Sequence, residues 1–321
     1  MKQSILDFPK QFGFEPEIQN TQNLRKTDKF IVVGMGGSAL AAGILKIQNP
    51  YLDLRIHRNY GLPEIPEKEL KNFIIILSSY SGNTEETIDA FQKARERDLP
   101  SAVIAAGGKL LELAKENQIP YVQIPDTGIQ PRMALGFSTK ALLKIIGDEA
   151  GLKELGTLSS MVVTEYEEKG KYLAEKLKGF VPIIYSSAQN YPLVLNWKVK
   201  LNETGKIPAF ANVFPELNHN EMTGFDVKQS TKELSQKFYF LLLKDKDDHL
   251  RIKKRMEILE KLYKDRGLKI ESLELGGVNV FYKIFACLIL ADWTAYFLSQ
   301  VYGVEPEAVP MVEEFKKLIQ R

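Results

Sequence analysis

The chain has 321 residues, enough for about two domains, and 44% of them are hydrophobic, enough for substantial cores. Lys and Arg number 43 against 41 Asp and Glu, and the net charge of +2 gives no support for nucleic-acid binding through a basic surface. The single cysteine, Cys287, excludes a disulfide framework and fits a reducing cytoplasm.

Residues 1–27 read as a polar, partly helical lead-in, and MKQSILDFPK lacks the apolar core of a signal peptide. Phe30-Ile31-Val32-Val33 then predicts a short strand, followed by the glycine turn Gly34-Met35-Gly36-Gly37-Ser38-Ala39 and a helix from Leu40. The turn formally matches GxGxxA, the dinucleotide fingerprint. That fingerprint wants an acidic residue at the end of the second strand to hold a ribose. Here the second strand, Leu54-Arg55-Ile56-His57, is followed by Asn59-Tyr60-Gly61, and Asp53 precedes it at the wrong end. The same glycines would let backbone amides at 36–38 approach a sugar or phosphate.

Phe73-Ile74-Ile75-Ile76-Leu77 predicts a strand buried on both faces. It runs into Ser78-Ser79-Tyr80-Ser81-Gly82-Asn83-Thr84-Glu85-Glu86, where Asn83 is expected to cap a helix over 85–97 with Glu86 in a box-like spacing. Four hydroxyls (Ser78, Ser79, Ser81, Thr84) thus surround a helix N-terminus, whose free amides and dipole favour an anion. No lysine and no GxxxxGK[ST] is present, so a nucleotide P-loop is not indicated. Neutral hydroxyls suit a single phosphate monoester, such as that of a sugar phosphate. A plain helix-capping turn is the alternative.

Strands at 101–106 and 121–124, with a helix over 110–117, continue a β-α-β-α-β alternation that predicts a doubly wound parallel sheet, a three-layer α/β/α domain. In such sheets ligands lie beyond the carboxyl ends of the strands, where both turns and Gln130-Pro131-Arg132-Met133 fall. Arg132 can bring a guanidinium to the same anion, or it can be a surface arginine. Residues 151–180 read as the connection, giving domains over 1–152 and 153–321. The second repeats the α/β pattern, with strands at 181–188, 238–243 and 269–275 and an amphipathic helix over 251–266. The apolar segment Phe281–Val301 contains Lys283 and Asp292 and reads as a buried core helix, not a membrane span.

The stretch from Lys200 to Phe225 shows little periodicity and many polar groups, and is expected to be a long functional loop. It carries Glu203, Glu216, His219 and Glu221. A carboxylate with a histidine can move protons near neutral pH. A metal site is the rival, but neither His57 nor His249 has metal-ligand spacing to His219.

SSYSGNTEET after a buried strand resembles the phosphate loop of the sugar isomerase (SIS) domain, and GMGGSA resembles that domain's first glycine turn. With QPRMALGF, NETGKIPAF and PELNHNEMTGF, the five motifs together resemble the bifunctional phosphoglucose/phosphomannose isomerases of the phosphoglucose isomerase superfamily. The resemblance implies two SIS domains and a cytoplasmic homodimer. It implies aldose–ketose isomerisation of glucose 6-phosphate and mannose 6-phosphate with fructose 6-phosphate, through a cis-enediol and with no metal or organic cofactor. Residue by residue, it implies that Ser79, Ser81 and Thr84 hold the phosphate and that Gly36, Gly37 and Ser38 line its pocket. Arg132 would stabilise charge on the enediol oxygens, and Glu203 would be the base between C2 and C1. His219, from the neighbouring subunit, would open the sugar ring with a C-terminal lysine, for which Lys316 fits better than Lys317. Where members with dual specificity carry a threonine before the C-terminal proline, this chain has Val309. A non-catalytic sugar-phosphate module and an amino-sugar-phosphate isomerase are the competing expectations. The first has no need of the Glu203 and His219 motifs.

Overall fold

A computed structural model describes residues 1–319. They divide into two compact units, one of Leu6–Val162 and one running from Val163 onward with Met1–Ile5 added to it. The division therefore falls at 162/163, beyond the expected 152/153. The helix Glu149–Gly156 and the turn Thr157–Ser160 pack on the helix Leu135–Ile146 and on the lead-in Phe8–Gly13, which places them in the first unit. The charged helix Glu167–Leu177 instead lies along the apolar helix Val280–Tyr302.

The first unit holds five strands: β1 (Lys29–Val33), β2 (Asp53–His57), β3 (Ile74–Ser78), β4 (Ser101–Ala105) and β5 (Tyr121–Gln123). All pair in parallel, in the order β2-β1-β3-β4-β5. Every residue of β3 and β4 is buried, as continuous β-branched and small apolar runs require when helices cover both faces. The order reverses between β1 and β3, so the crevice for a ligand lies at the carboxyl ends of those two strands.

The second unit holds β6 (Val181–Ser187), β7 (Phe210–Phe214), β8 (Phe238–Asp245) and β9 (Lys269–Leu275), parallel in the order β7-β6-β8-β9. The two parallel sheets agree with the expected fold class. The expectation of an unbroken loop over 200–225 does not hold. Its first residues close the helix Tyr191–Glu203, β7 follows, and a turn Glu216–Asn218 leads to a short helix Glu221–Gly224. β7 is an edge strand paired only to β6, so it needs no apolar run: Phe210 is exposed, 211–213 are half-buried and Phe214 is buried. The helix Val280–Tyr302 is long and apolar enough to cross a membrane, and 78% of its most apolar window is buried inside the protein. Within it, Asp292 contacts Lys200 of the helix Tyr191–Glu203, and Lys283 lies 2.7 Å from Asp245 at the end of β8.

Candidate active site

In the first unit three turns meet at the carboxyl ends of the strands. The turn after β1 opens the helix Gly37–Gln48. A Cβ on Gly37 would lie 2.7 Å from the carbonyl oxygen of Pro131, so only glycine lets this helix start against the Pro131–Met133 turn. Ser38 ties the first turn to the turn after β3. Its hydroxyl accepts from the Tyr80 amide at 3.0 Å, and its carbonyl accepts from the Ser78 hydroxyl at 3.3 Å.

The turn after β3 is folded around its own hydroxyls. Ser79 Oγ accepts from the Gly82 amide at 3.1 Å and lies 2.9 Å from Thr84 Oγ1. Ser81 Oγ accepts from the Asn83 amide at 3.2 Å. The N-cap of the helix Glu85–Glu96 is Thr84, not Asn83. The Asn83 side chain instead accepts from the Lys109 amide at 3.0 Å, joining the turn to the start of the helix Gly108–Glu116. Gly82 has φ +69°, and a Cβ there would sit 1.8 Å from the Gly107 carbonyl oxygen. Ser79 is thus buried as a bridge, while Ser81 is exposed and Thr84 half-exposed beside the first-turn amides. The result is a polar, uncharged cradle backed by a helix dipole.

Arg132 is only 2% exposed, which rules out the surface-arginine alternative. A guanidinium held inside a fold, next to the turn that meets Gly37, is a fixed positive charge in a low-dielectric setting, where it acts on an anion more strongly than in water.

In the second unit Glu203 is the last residue of the helix Tyr191–Glu203 and is half-buried. The ammonium of Lys206 lies 2.5 Å from the Glu203 carbonyl oxygen and also donates to the Ala308 carbonyl. It joins the Glu203 turn to the chain just before Val309 and the C-terminal helix Pro310–Ile319. Sequence reasoning had no role for Lys206. Its positive φ of 57° inside a run of polar residues is the local feature that sets it apart. His219 follows the turn Glu216–Asn218, and its imidazole is exposed. Lys316 is exposed too and pairs with Glu313 at 2.9 Å on its own helix. Among the described residues no three His, Cys, Asp or Glu side chains form a group suited to a metal.

The carboxyl end of β6, Ser186-Ser187, looks from its sequence like a second hydroxyl cradle, but its surroundings differ. Asp245 and Asp248 are both buried there, and Asn190 Nδ2 bonds them at 3.1 Å and 3.3 Å. Lys283 pairs with Asp245, and burial holds the Asp248 carboxyl above its usual range. These buried carboxyls present acceptors where a phosphate needs donors, so among the described residues it is the first unit that offers an anion cradle at its switch point.

Residues 166–319 match the model of the bacterial phospho-glucose isomerase C-terminal SIS domain. A bifunctional phosphoglucose/phosphomannose isomerase from Aquifex aeolicus is 32% identical over 91% of this chain and 90% of its own length. One from Caldicellulosiruptor bescii is 31% identical over 98% of both chains. A D-glucosamine-6-phosphate 4-epimerase from Sulfolobus acidocaldarius is 28% identical over 70% of this chain and 72% of its own length. In fold, the crystal structure of a glucosamine-6-phosphate deaminase from Thermotoga maritima superposes with a TM-score of 0.64 at 18% identity, over 95% of this chain and 96% of that one. With the two isomerase relatives matched over nine-tenths or more of both chains at this level of identity, the chain belongs to the bifunctional phosphoglucose/phosphomannose isomerase family.

Proposed function

We propose that the protein interconverts glucose 6-phosphate and mannose 6-phosphate with fructose 6-phosphate through a cis-enediol. The observation that carries this reading is the hydroxyl cradle at the switch point of the first sheet, in a chain whose relatives carry this activity in their names. Ser79, Ser81 and Thr84 hold the phosphate, with Gly36, Gly37 and Ser38 lining its pocket. Anchoring one end of the substrate lets binding energy position C1 and C2 for proton transfer. Glu203 takes the proton from C2 of the aldose and returns it at C1. Arg132 stabilises the negative charge that develops on the enediol oxygens, charge that is largest in the transition state. His219, with Lys316, moves the proton that opens the sugar ring. Its exposure in a single chain suits delivery to a neighbouring subunit, and in this reading the active form is a homodimer. The reaction uses neither metal nor organic cofactor and takes place in the cytoplasm. The units on either side of 162/163 act as two SIS domains.

The test is an assay of chelator-treated protein for fructose 6-phosphate formation, with each aldose offered separately. Turnover of both is expected. In Glu203→Gln turnover falls by about three orders of magnitude or more, while inhibition by inorganic phosphate is retained. Retained turnover in that variant excludes Glu203 as the base. The epimerase relative favours a second reading, in which the substrate is an amino-sugar phosphate. Inertness toward both neutral aldoses together with turnover of glucosamine 6-phosphate would select it.

A further inference from the structure

We infer that Glu221 is the positioning residue for His219, a carboxylate clamp that fixes the His219 segment to β6 and β7. This rests on the role read for His219 above. The backbone alone holds that segment weakly. The His219 amide donates to the Glu216 carbonyl at 2.9 Å, and the following helix, Glu221–Gly224, is a single turn, too short to be stable by itself. Its direction has to come from side chains.

Both oxygens of Glu221 are engaged by donors on the sheet. The Tyr185 hydroxyl, on β6, donates to Oε1, and Asn212 Nδ2, on β7, donates to Oε2. Tyr185 is fully buried, with its ring edge-on to Phe214 at 6.2 Å and tilted against Phe240 at 5.6 Å. Its phenol cannot swing away without breaking this packing. Burial first, then Tyr263 and Glu221, push the Tyr185 phenol far above its ordinary range, so it stays a donor throughout the working pH range. Asn212 is fixed as well, since its Oδ1 accepts from the Val213 amide at 2.8 Å. Both donors are neutral, so the carboxylate gains direction here and not charge pairing. Leu217, buried in the core, anchors the turn before His219, whereas the other side-chain bonds, Asn218 to Arg255 at 3.2 Å, Asn218 to Met222 Sδ at 3.8 Å and Asn220 to Glu216 at 2.9 Å, involve longer or more exposed side chains that adjust easily. Only Asn220 separates Glu221 from His219, so a turn of the clamp moves the imidazole directly.

The test is a double-mutant cycle on glucose 6-phosphate turnover. Glu221→Ala is expected to lower kcat about ten- to a hundredfold, the scale of an ångström misplacement, with KM within about twofold. In His219→Ala background the same change is expected to have no further effect. Glu221→Gln, whose amide can still bridge a tyrosine hydroxyl and an asparagine, recovers most of the loss. Tyr185→Phe, which keeps the ring and its packing, repeats the defect and serves in place of Glu221→Ala if that variant does not fold. Losses that multiply in the double variant, or a loss carried by KM alone, overturn the inference while leaving His219 in its role. A His219→Ala variant with full activity removes that role and the inference together.

Discussion

Gly82 offers the most direct test of the phosphate cradle. With φ +69°, any other L-residue there carries about 1–2 kcal/mol of backbone strain. A methyl group adds a collision that no side chain can relieve. It would lie 1.8 Å from the Gly107 carbonyl oxygen, where ordinary contact begins at 3.4 Å, so Gly82→Ala drives the turn back by about 1.6 Å. That turn carries Ser79, Ser81, Asn83 and Thr84. Losing one well-aligned hydrogen bond to a charged phosphate removes about 1.5–3 kcal/mol, or about ten- to a hundredfold in kcat/KM. The expected outcome is that loss for glucose 6-phosphate, with a parallel rise in the inhibition constant for inorganic phosphate. Gly61 is the control. Its φ is +67°, but a Cβ there has nothing within 4 Å, so Gly61→Ala brings strain without collision and leaves kcat/KM nearly unchanged. Wild-type kinetics in folded Gly82→Ala, or equal losses in the two variants, would refute the reasoning.

Three further outcomes follow from buried and charged groups. Lys200 and Asp292 form an ion pair whose side chains are each 1% exposed, so Asp292→Ala leaves a buried ammonium and costs about 3–5 kcal/mol. In a unit of this size that lowers the melting temperature by about 6–20 °C, and Lys200→Met/Asp292→Leu recovers most of it in the same thermal scan. The Cys287 thiol is pushed up to about 12 by burial, against the softening effect of the Trp197 indole N–H 3.2 Å away. It should resist a thiol reagent in the native protein and react at the rate of unfolding. Glu260 responds to pH. Burial alone would raise its pKa, but bonds from Lys244, Lys264 and Ser272 outweigh it and hold the carboxyl down at about 2. A depressed acid stabilises the fold above its unfolded value of 4.5 and loses that contribution as the pH falls toward 2. Wild type and Glu260→Gln should therefore converge in stability across that interval in acid-denaturation curves.

The central strands were legible in the sequence because burial on both faces forces unbroken apolar runs, and β3 and β8 are those runs. β7 was not, because an edge strand with one neighbour tolerates Asn212 and an exposed Phe210. Asn83 was misread as a cap for a related reason. Local spacing shows which side chains can cap a helix, and only the fold shows that Asn83 is held by Lys109, 26 residues on. The burial of Arg132 and the Lys206 bridge to Ala308 are likewise matters of what lies opposite in space.

The difference between the two sheets argues the same way. Both place a hydroxyl turn between a central strand and a helix at a switch point, and the short motifs look alike. The charge that separates them comes from elsewhere in each unit. In the second it is Asp245 and Asp248, at and just beyond the end of β8, which accept the Asn190 amide. In the first, the neighbouring turn is the glycine pair 107–108 leading into Lys109, whose amide donates to Asn83, and it carries no carboxylate. A hydroxyl turn is therefore only half of an anion site. The other half is the sign of the charge on the adjacent strand's turn, and reversing it is a direct experiment. Gly107→Asp brings a carboxylate to the cradle at an extended residue with open space around its Cβ, so the backbone stays unstrained. Phosphate inhibition should weaken, and the weakening should shrink as salt is raised, because the cause is charge repulsion and salt screens it. A loss of phosphate affinity that ignores salt would point to a steric cause and count against the electrostatic account.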